Sequence, residues 1–211
     1  SHGIGSRAGQ HRQRQQPGTD DAEAEKLLSQ VSDPDNLMRA RLLRASIWAN
    51  KGQIDQGRSL IVTMPVKTQK EELTRTMTEV QYLRQYKQWR TAYDVLSQAA
   101  KQFDDNDEIR YEYALAAEKI GKIEEMESVL LDIIEQNPKF HQALNALGYS
   151  WADRNIRLEE AKKLILQAVE LAPDDPFIAD SLGWVEFRLG RLSEARKVLQ
   201  AAFDARQDAE I

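Results

Sequence analysis

The chain offers little to catalytic chemistry: three histidines, no cysteine, and 34 carboxylates spread along 211 residues. Without cysteine there is no thiolate nucleophile, no disulfide and no Cys-ligated zinc. His2 and His11 lie in a Gln-, Arg- and Gly-rich start, and His141 stands alone beside Phe140 after the Asn137-Pro138 turn. One isolated imidazole makes neither a metal set nor a nucleophile–base pair. The carboxylates cluster as Asp104-Asp105 with Asp107, Glu124-Glu125, Glu159-Glu160 and Asp174-Asp175. Their spacing is not that of a calcium loop, and they fall at turns and helix starts, where negative charge favours the helix dipole. No glycine-rich phosphate loop is present. These residues therefore predict no catalytic centre, no metal and no cofactor, and the chain reads as a non-enzyme.

The elements that carry these residues read as helices. With 41% hydrophobic and 30% charged residues, the chain has enough apolar material for a folded unit of ordinary size. The formal charge is −5 with both signs interspersed, which argues against nucleic-acid binding. No apolar run approaches the length of a membrane span. Residues 1–19 lack apolar periodicity and are expected to form a flexible tail, with residues 1–6 reading as a tag remnant. From Asp20 onward, amphipathic segments of helix length alternate with breaks at Pro34, Gly52, Pro65, Gly121, Asn137-Pro138, Asn155, Pro173 and Gly190. Asp35, Asp55, Asp107 and Ser193 are expected to cap the helices that follow. Strand signals reduce to the cluster Leu60-Ile61-Val62-Thr63, which ends a helical pattern.

The breaks recur. Ala161 and Ala195, Leu164 and Val198, and Ala168 and Ala202 are each 34 positions apart, and Gly148 and Gly183 are 35 apart. Two helices per 34 residues is the period of a repeat array. Gly148 and Gly183 mark where a first helix must be closely approached, and Ala161 and Ala195 answer on the second helix.

The segments NALGYSWADRNIRLEEAKKLILQAVELAPDD, from Asn145, and DSLGWVEFRLGRLSEARKVLQAAF, from Asp180, resemble tetratricopeptide (TPR) repeats. The resemblance weakens toward the N-terminus, where Gly57 and Met64 stand at alanine positions and Lys87 replaces the inter-helix glycine. It implies an all-α fold, a right-handed superhelix of helix-turn-helix repeats. Repeats are placed at 38–72, 73–106, 107–140, 141–175 and 176–209, within an array covering 20–211 that opens with a partial-repeat helix at 20–32. The last two repeats are similar to bacterial envelope TPR lipoproteins that act as adaptors for a C-terminal processing protease. That similarity implies a periplasmic or outer-membrane location, although the residues themselves fit the cytoplasm as well.

In the TPR family the first helix of each repeat lines a groove that binds peptide or protein segments. Carried onto this sequence, the groove positions include Arg84, Tyr111, Glu118, Asn145, Tyr149, Asp153, Trp184, Phe187 and Arg188. The positions of a carboxylate-clamping chaperone-binding site hold Leu42, Ser46, Met77 and Gln81 instead, which argues against that role. Trp48, Trp89 and Trp151 are expected in the core, and Trp184 in the groove. The expected function is a non-catalytic scaffold for protein or peptide segments, a protease among the implied partners. The alternative is an assembly component that self-associates through an apolar strip on its uncapped last helix.

Overall fold

The computed structural model describes residues 17–209, the side chains of 17–19, 34, 35 and 205–209 excepted. The tail expected over residues 1–19 lies outside the described residues as far as residue 16, and residues 17–19 belong to the first helix. Eleven α-helices and no strand occur among the described residues. They are α1 (Pro17–Ser29), α2 (Pro34–Asn50), α3 (Ile54–Val62), α4 (Gln69–Gln85), α5 (Trp89–Gln102), α6 (Asp107–Lys119), α7 (Ile123–Gln136), α8 (His141–Asp153), α9 (Leu158–Leu171), α10 (Pro176–Arg188) and α11 (Leu192–Ala209). The architecture is all-α, built of helical hairpins.

The chain divides into two compact units after Lys87. In the first, α2 and α3 form a hairpin, α4 packs on both, and α1 lies against α2. Gly57 on α3 permits a close approach: a Cβ there would stand 2.6 Å from the Ala45 carbonyl oxygen and 2.2 Å from the Tyr82 hydroxyl. That hydroxyl, fully buried, donates to the carbonyl of Ile54 at 2.8 Å and ties α4 to the α2–α3 turn. Its pKa is pushed up to about 12 by burial first, then by Tyr86 and Asp55. The β-branched cluster at residues 60–63 completes α3, with Ile61 fully buried.

In the second unit, α6–α7, α8–α9 and α10–α11 are hairpins, and α5 packs on α6. The α8–α9 and α10–α11 hairpins are closed at small residues the sequence marks. A Cβ on Gly148 would meet the Ala161 carbonyl at 2.8 Å and Ile165 Cγ1 at 2.7 Å, so α8 and α9 touch backbone to backbone. Between the helices of a pair the chain turns through a left-handed residue. Gly52, Gly121 and Gly190 hold it with no side-chain clash, and Lys87, which follows α4, adopts φ 57° with a side chain. The longer turn before α9 has two such residues, Asn155 and Arg157. Arg157 lays its guanidinium over the Trp151 ring at 4.1 Å.

The helix caps differ from expectation. Asp35 lies inside α2, whose N-cap is Asp33, and Asp55 lies inside α3, whose N-cap is Gln53. Asn106, not Asp107, caps α6 by accepting from the Ile109 amide at 3.0 Å. Asp107 instead accepts from Asn137 Nδ2 at 3.0 Å and pairs with Arg110. Ser193 lies inside α11. Thr68 and Asp175 are the other side-chain caps, Asp175 accepting from the Phe177 and Ile178 amides. Aspartate is favoured in the first turn as well as at the cap, so sequence placed the acid correctly near the helix start and wrongly on it.

Candidate functional site

The first helix of each hairpin in the second unit, α6, α8 and α10, carries eight of the nine residues expected to bind a partner. Tyr111 and Glu118 are seven apart on α6, and Asn145, Tyr149 and Asp153 recur every four on α8. Trp184, Phe187 and Arg188 share one turn face of α10. These spacings put each set on one helical stripe. Arg84 lies exposed on α4, in the first unit.

Two groups form. Tyr149, 44% exposed, has its pKa raised by partial burial first, then by the charges of Asp153 and Glu118. This brings α6 and α8 together as a negative patch around an accessible phenol. On α10, Trp184 and Phe187 stack with centroids 5.4 Å apart and planes at 22°, and Arg188 lies over the indole at 5.5 Å. Phe187 is 49% exposed, so the stack has an open side. Tyr111 is turned edge-on to Phe140 at 5.7 Å and is half-buried, which makes it more a packing residue than a contact.

Three polar atoms among these same residues are shielded from solvent and have no hydrogen-bond partner: Asn145 Oδ1, Trp184 Nε1 and Arg188 Nε. A buried donor or acceptor left unpaired costs roughly 1–3 kcal/mol. These atoms lie beneath the surface of α8 and α10, beside exposed rings, and a ligand reaches them only where the covering side chains move. The exposed rings suit a polypeptide, whose side chains offer apolar surface.

The other expectations divide. Trp151 is buried and its Nε1 donates to Glu127 at 3.0 Å, whereas Trp48 and Trp89 are only half-buried. His141 opens α8 and is half-buried. Among the described residues no three His, Asp or Glu side chains gather as a metal set. Sequence reasoning missed a polar cluster on α5, α6 and α7. Glu125, read only as a first-turn acid, accepts from Tyr113 and from Tyr93 (2.9 Å), and Lys122 pairs with it at 3.0 Å. The Tyr113 hydrogen bond leads the effects that lower the Glu125 pKa, and burial raises that of Tyr113. It also missed Glu186, buried on α10 against Lys162 at 2.5 Å. One signal was available: Glu186 stands 35 residues after the buried Trp151.

No family model matches the chain. The TPR repeat-containing protein PA4667 of Pseudomonas aeruginosa is 31% identical over 183 residues, 87% of this chain. The chain spans about a third of the length of that relative, 31%. Among solved structures, a double mutant of MamA RS-1 and MamA 41-end from Desulfovibrio magneticus RS-1 both superpose with TM-score 0.59 at 16% identity. They cover 89% and 88% of this chain, and 97% of each of those chains is matched. YrrB, described as a TPR protein with an unusual peptide-binding site, superposes with TM-score 0.54 at 14% identity over 88% of this chain and 94% of its own. Those three likenesses bear on the fold alone. Taken with the 34-residue period, the paired helices closed at Gly148 and Gly183, and the Pseudomonas relative, they show that the chain belongs to the tetratricopeptide-repeat family.

Proposed function

We propose that the chain is a non-catalytic scaffold that holds a peptide or protein segment on the α6–α8–α10 face of its second unit. The observation that carries this reading is the pair of exposed rings, Tyr149 and Phe187, with Trp184 stacked on Phe187 and the Glu118 and Asp153 charges near Tyr149. Exposed aromatic anchors beside fixed charges supply contact area and orientation for a polypeptide. The fold shared with YrrB, a peptide-binding TPR protein, supports it. The negative charges of Glu118 and Asp153 favour a basic residue at the Tyr149 end.

An adaptor role in a bacterial envelope, delivering substrates to a C-terminal processing protease, extends this reading and rests on the resemblance of the last two repeats to such lipoproteins. Holding two partners at once raises their effective concentration without new chemistry. The test is selection of binding sequences from a random displayed peptide library on the intact chain, followed by calorimetry on the purified peptides. Tyr149→Ala and Phe187→Ala, both at exposed positions, are expected to weaken a selected peptide about tenfold or more each, the size of a moderate hot spot. A library that yields no binder, or binders indifferent to both substitutions, would refute the assignment.

A further inference from the structure

The first helices α6, α8 and α10 end on Lys119, Asp153 and Arg188, which are 34 and 35 residues apart. The end of a helix carries partial negative charge and favours a cation. Lys119 and Arg188 obey that rule, and Asp153 breaks it. Helix stability therefore accounts for the two cations and not for the aspartate.

No local partner accounts for Asp153 either. Two arginines follow it closely, and both are engaged elsewhere: Arg154 pairs with Glu127, and Arg157 with Glu160. The Asp153 carboxylate is exposed and has no ion pair or hydrogen bond among the described residues. Its charge and that of Glu118 fall on the Tyr149 phenol, whose pKa is raised by burial first and then by these two acids. Arg188 is in the matching state with the opposite sign. It lies over Trp184 at 5.5 Å, and the nearby Glu186 is taken by Lys162 at 2.5 Å. It too has no ion pair among the described residues. Lys119 and Asp153 are exposed although further hairpins follow both of them in the chain.

We infer that the segment held on this face is extended and carries two opposite charges three residues apart, a basic one at Asp153 and Glu118 beside Tyr149 and an acidic one at Arg188 beside Trp184. The inference rests on the peptide-binding reading of the face and adds to it the charge code of the occupant. The spacing comes from the helices. Helices α8 and α10 pack directly on each other, which sets their axes about 8–10 Å apart. An extended left-handed segment with three residues per turn rises roughly 3.1 Å per residue, so residues i and i+3 share one side about 9 Å apart. The rings between the two charges suit such a backbone, as aromatic-lined grooves suit proline-rich segments. Opposite keys on neighbouring helices also reject segments of one sign, because either sign meets one like charge.

The probes are end-blocked proline octapeptides with charged residues at the third and sixth positions. One pair carries lysine and glutamate in either order, and two controls carry lysine twice or glutamate twice. A further peptide sets lysine and glutamate four apart. Each is titrated to millimolar concentration into the isotope-labelled intact chain, with binding read from amide chemical shifts on α8 and α10. The better mixed peptide is expected to bind about fivefold tighter than either like-charged control, the scale of one exposed ion pair. The four-apart peptide should lose that advantage. Arg188→Glu should make the double-lysine peptide the best binder. Asp153→Lys, at an exposed position where the helix end favours a cation, should remove the advantage of the mixed peptide over the double-glutamate one. Both variants are checked for unchanged helicity. Binding that ignores charge order and spacing, or a ranking that neither variant moves, overturns the inference. Absence of binding by every octapeptide, while library-selected peptides still depend on Tyr149 and Phe187, overturns this inference alone. A library without binders overturns the peptide-binding reading and this inference with it.

Discussion

Gly148 and Gly183 occupy the same place in successive repeats, yet alanine is expected to act on them to very different degrees. At either site alanine gains roughly 1 kcal/mol of helix propensity over glycine. At Gly148 the new methyl would stand 2.8 Å from the Ala161 carbonyl oxygen and 2.7 Å from Ile165 Cγ1. The first atom is backbone, and the second belongs to a fully buried β-branched side chain with little rotamer freedom. Relief requires α9 to move off α8. Overpacking of that kind costs roughly 1–3 kcal/mol, and a backbone contact belongs in the upper half of the range. The net expectation for Gly148→Ala is a loss of about 1–2 kcal/mol. At Gly183 every close atom is in the side chain of Leu199, which is 43% exposed and free to turn outward. Gly183→Ala should fall within about 0.5 kcal/mol of the parent, the helix-propensity gain offsetting the cost of turning Leu199 to another rotamer. The measurement is urea unfolding followed by circular dichroism, with the transition of the second unit compared between variants. Equal stability of the two variants, or Gly183→Ala as the weaker one, would refute the claim that backbone contact at Ala161 closes this hairpin. Tyr149 follows Gly148 directly, so the same substitution is expected to weaken binding on the α8 face as well.

Two further outcomes follow from the first unit. Lys87 holds a left-handed conformation where the equivalent turns use glycine, so Lys87→Gly is expected to stabilise by about 0.5–1 kcal/mol, the strain of roughly 1–2 kcal/mol less the entropy glycine loses on folding; a lowered melting temperature would contradict it. Tyr82 has its pKa raised from 10.0 to about 12 in the folded chain. Its neutral hydroxyl therefore stabilises the first unit fully below pH 10 and loses that contribution as the pH rises toward 12. Stability measured across that window should fall, and Tyr82→Phe should flatten the fall; an unchanged slope in the variant would show that the buried hydroxyl is not its source.

The helices and their pairing were legible because they are set by local signals. Apolar spacing, proline starts and glycine turns act within one or two turns of chain, and Gly148 against Ala161 needed only the repeat period to be read. The groove residues were legible as positions, since spacing along one helix decides which side chains share a face. Their interactions were not. Nothing in the spacing of Trp184 and Arg188 says that Trp184 Nε1 and Arg188 Nε end up shielded and unpaired. Glu125 looked complete as a helix-start acid because its tyrosine partners stand 12 and 32 residues away and meet it only once α5, α6 and α7 pack. Caps erred by one or two residues: Asn106 caps α6 in place of adjacent Asp107, and α2 and α3 start after Asp33 and Gln53 with no side-chain cap.

A polar position that repeats along the second helices, Arg58, Tyr93, Glu127, Lys162 and Arg196, was the least legible feature, and its chemistry explains why. The apolar position that repeats with it, Ile61, Leu96, Leu130, Ile165 and Leu199, keeps its kind throughout and so announces itself as a repeat. The polar position runs Arg, Tyr, Glu, Lys and Arg, and its identity makes sense only against the helix that covers it. Burial of the apolar residue drives association of any amphipathic helix at any step. The polar contact distinguishes one helix from another. If α10 were seated on α7 in place of α8, Glu186 would face Glu127 instead of Lys162, an unrelieved pair of like charges close to the core. If α8 were seated on α9, Trp151 would leave Glu127 and meet Lys162, losing its hydrogen bond. A constant apolar seat with a variable polar key thus lets near-identical hairpins stack in one order only.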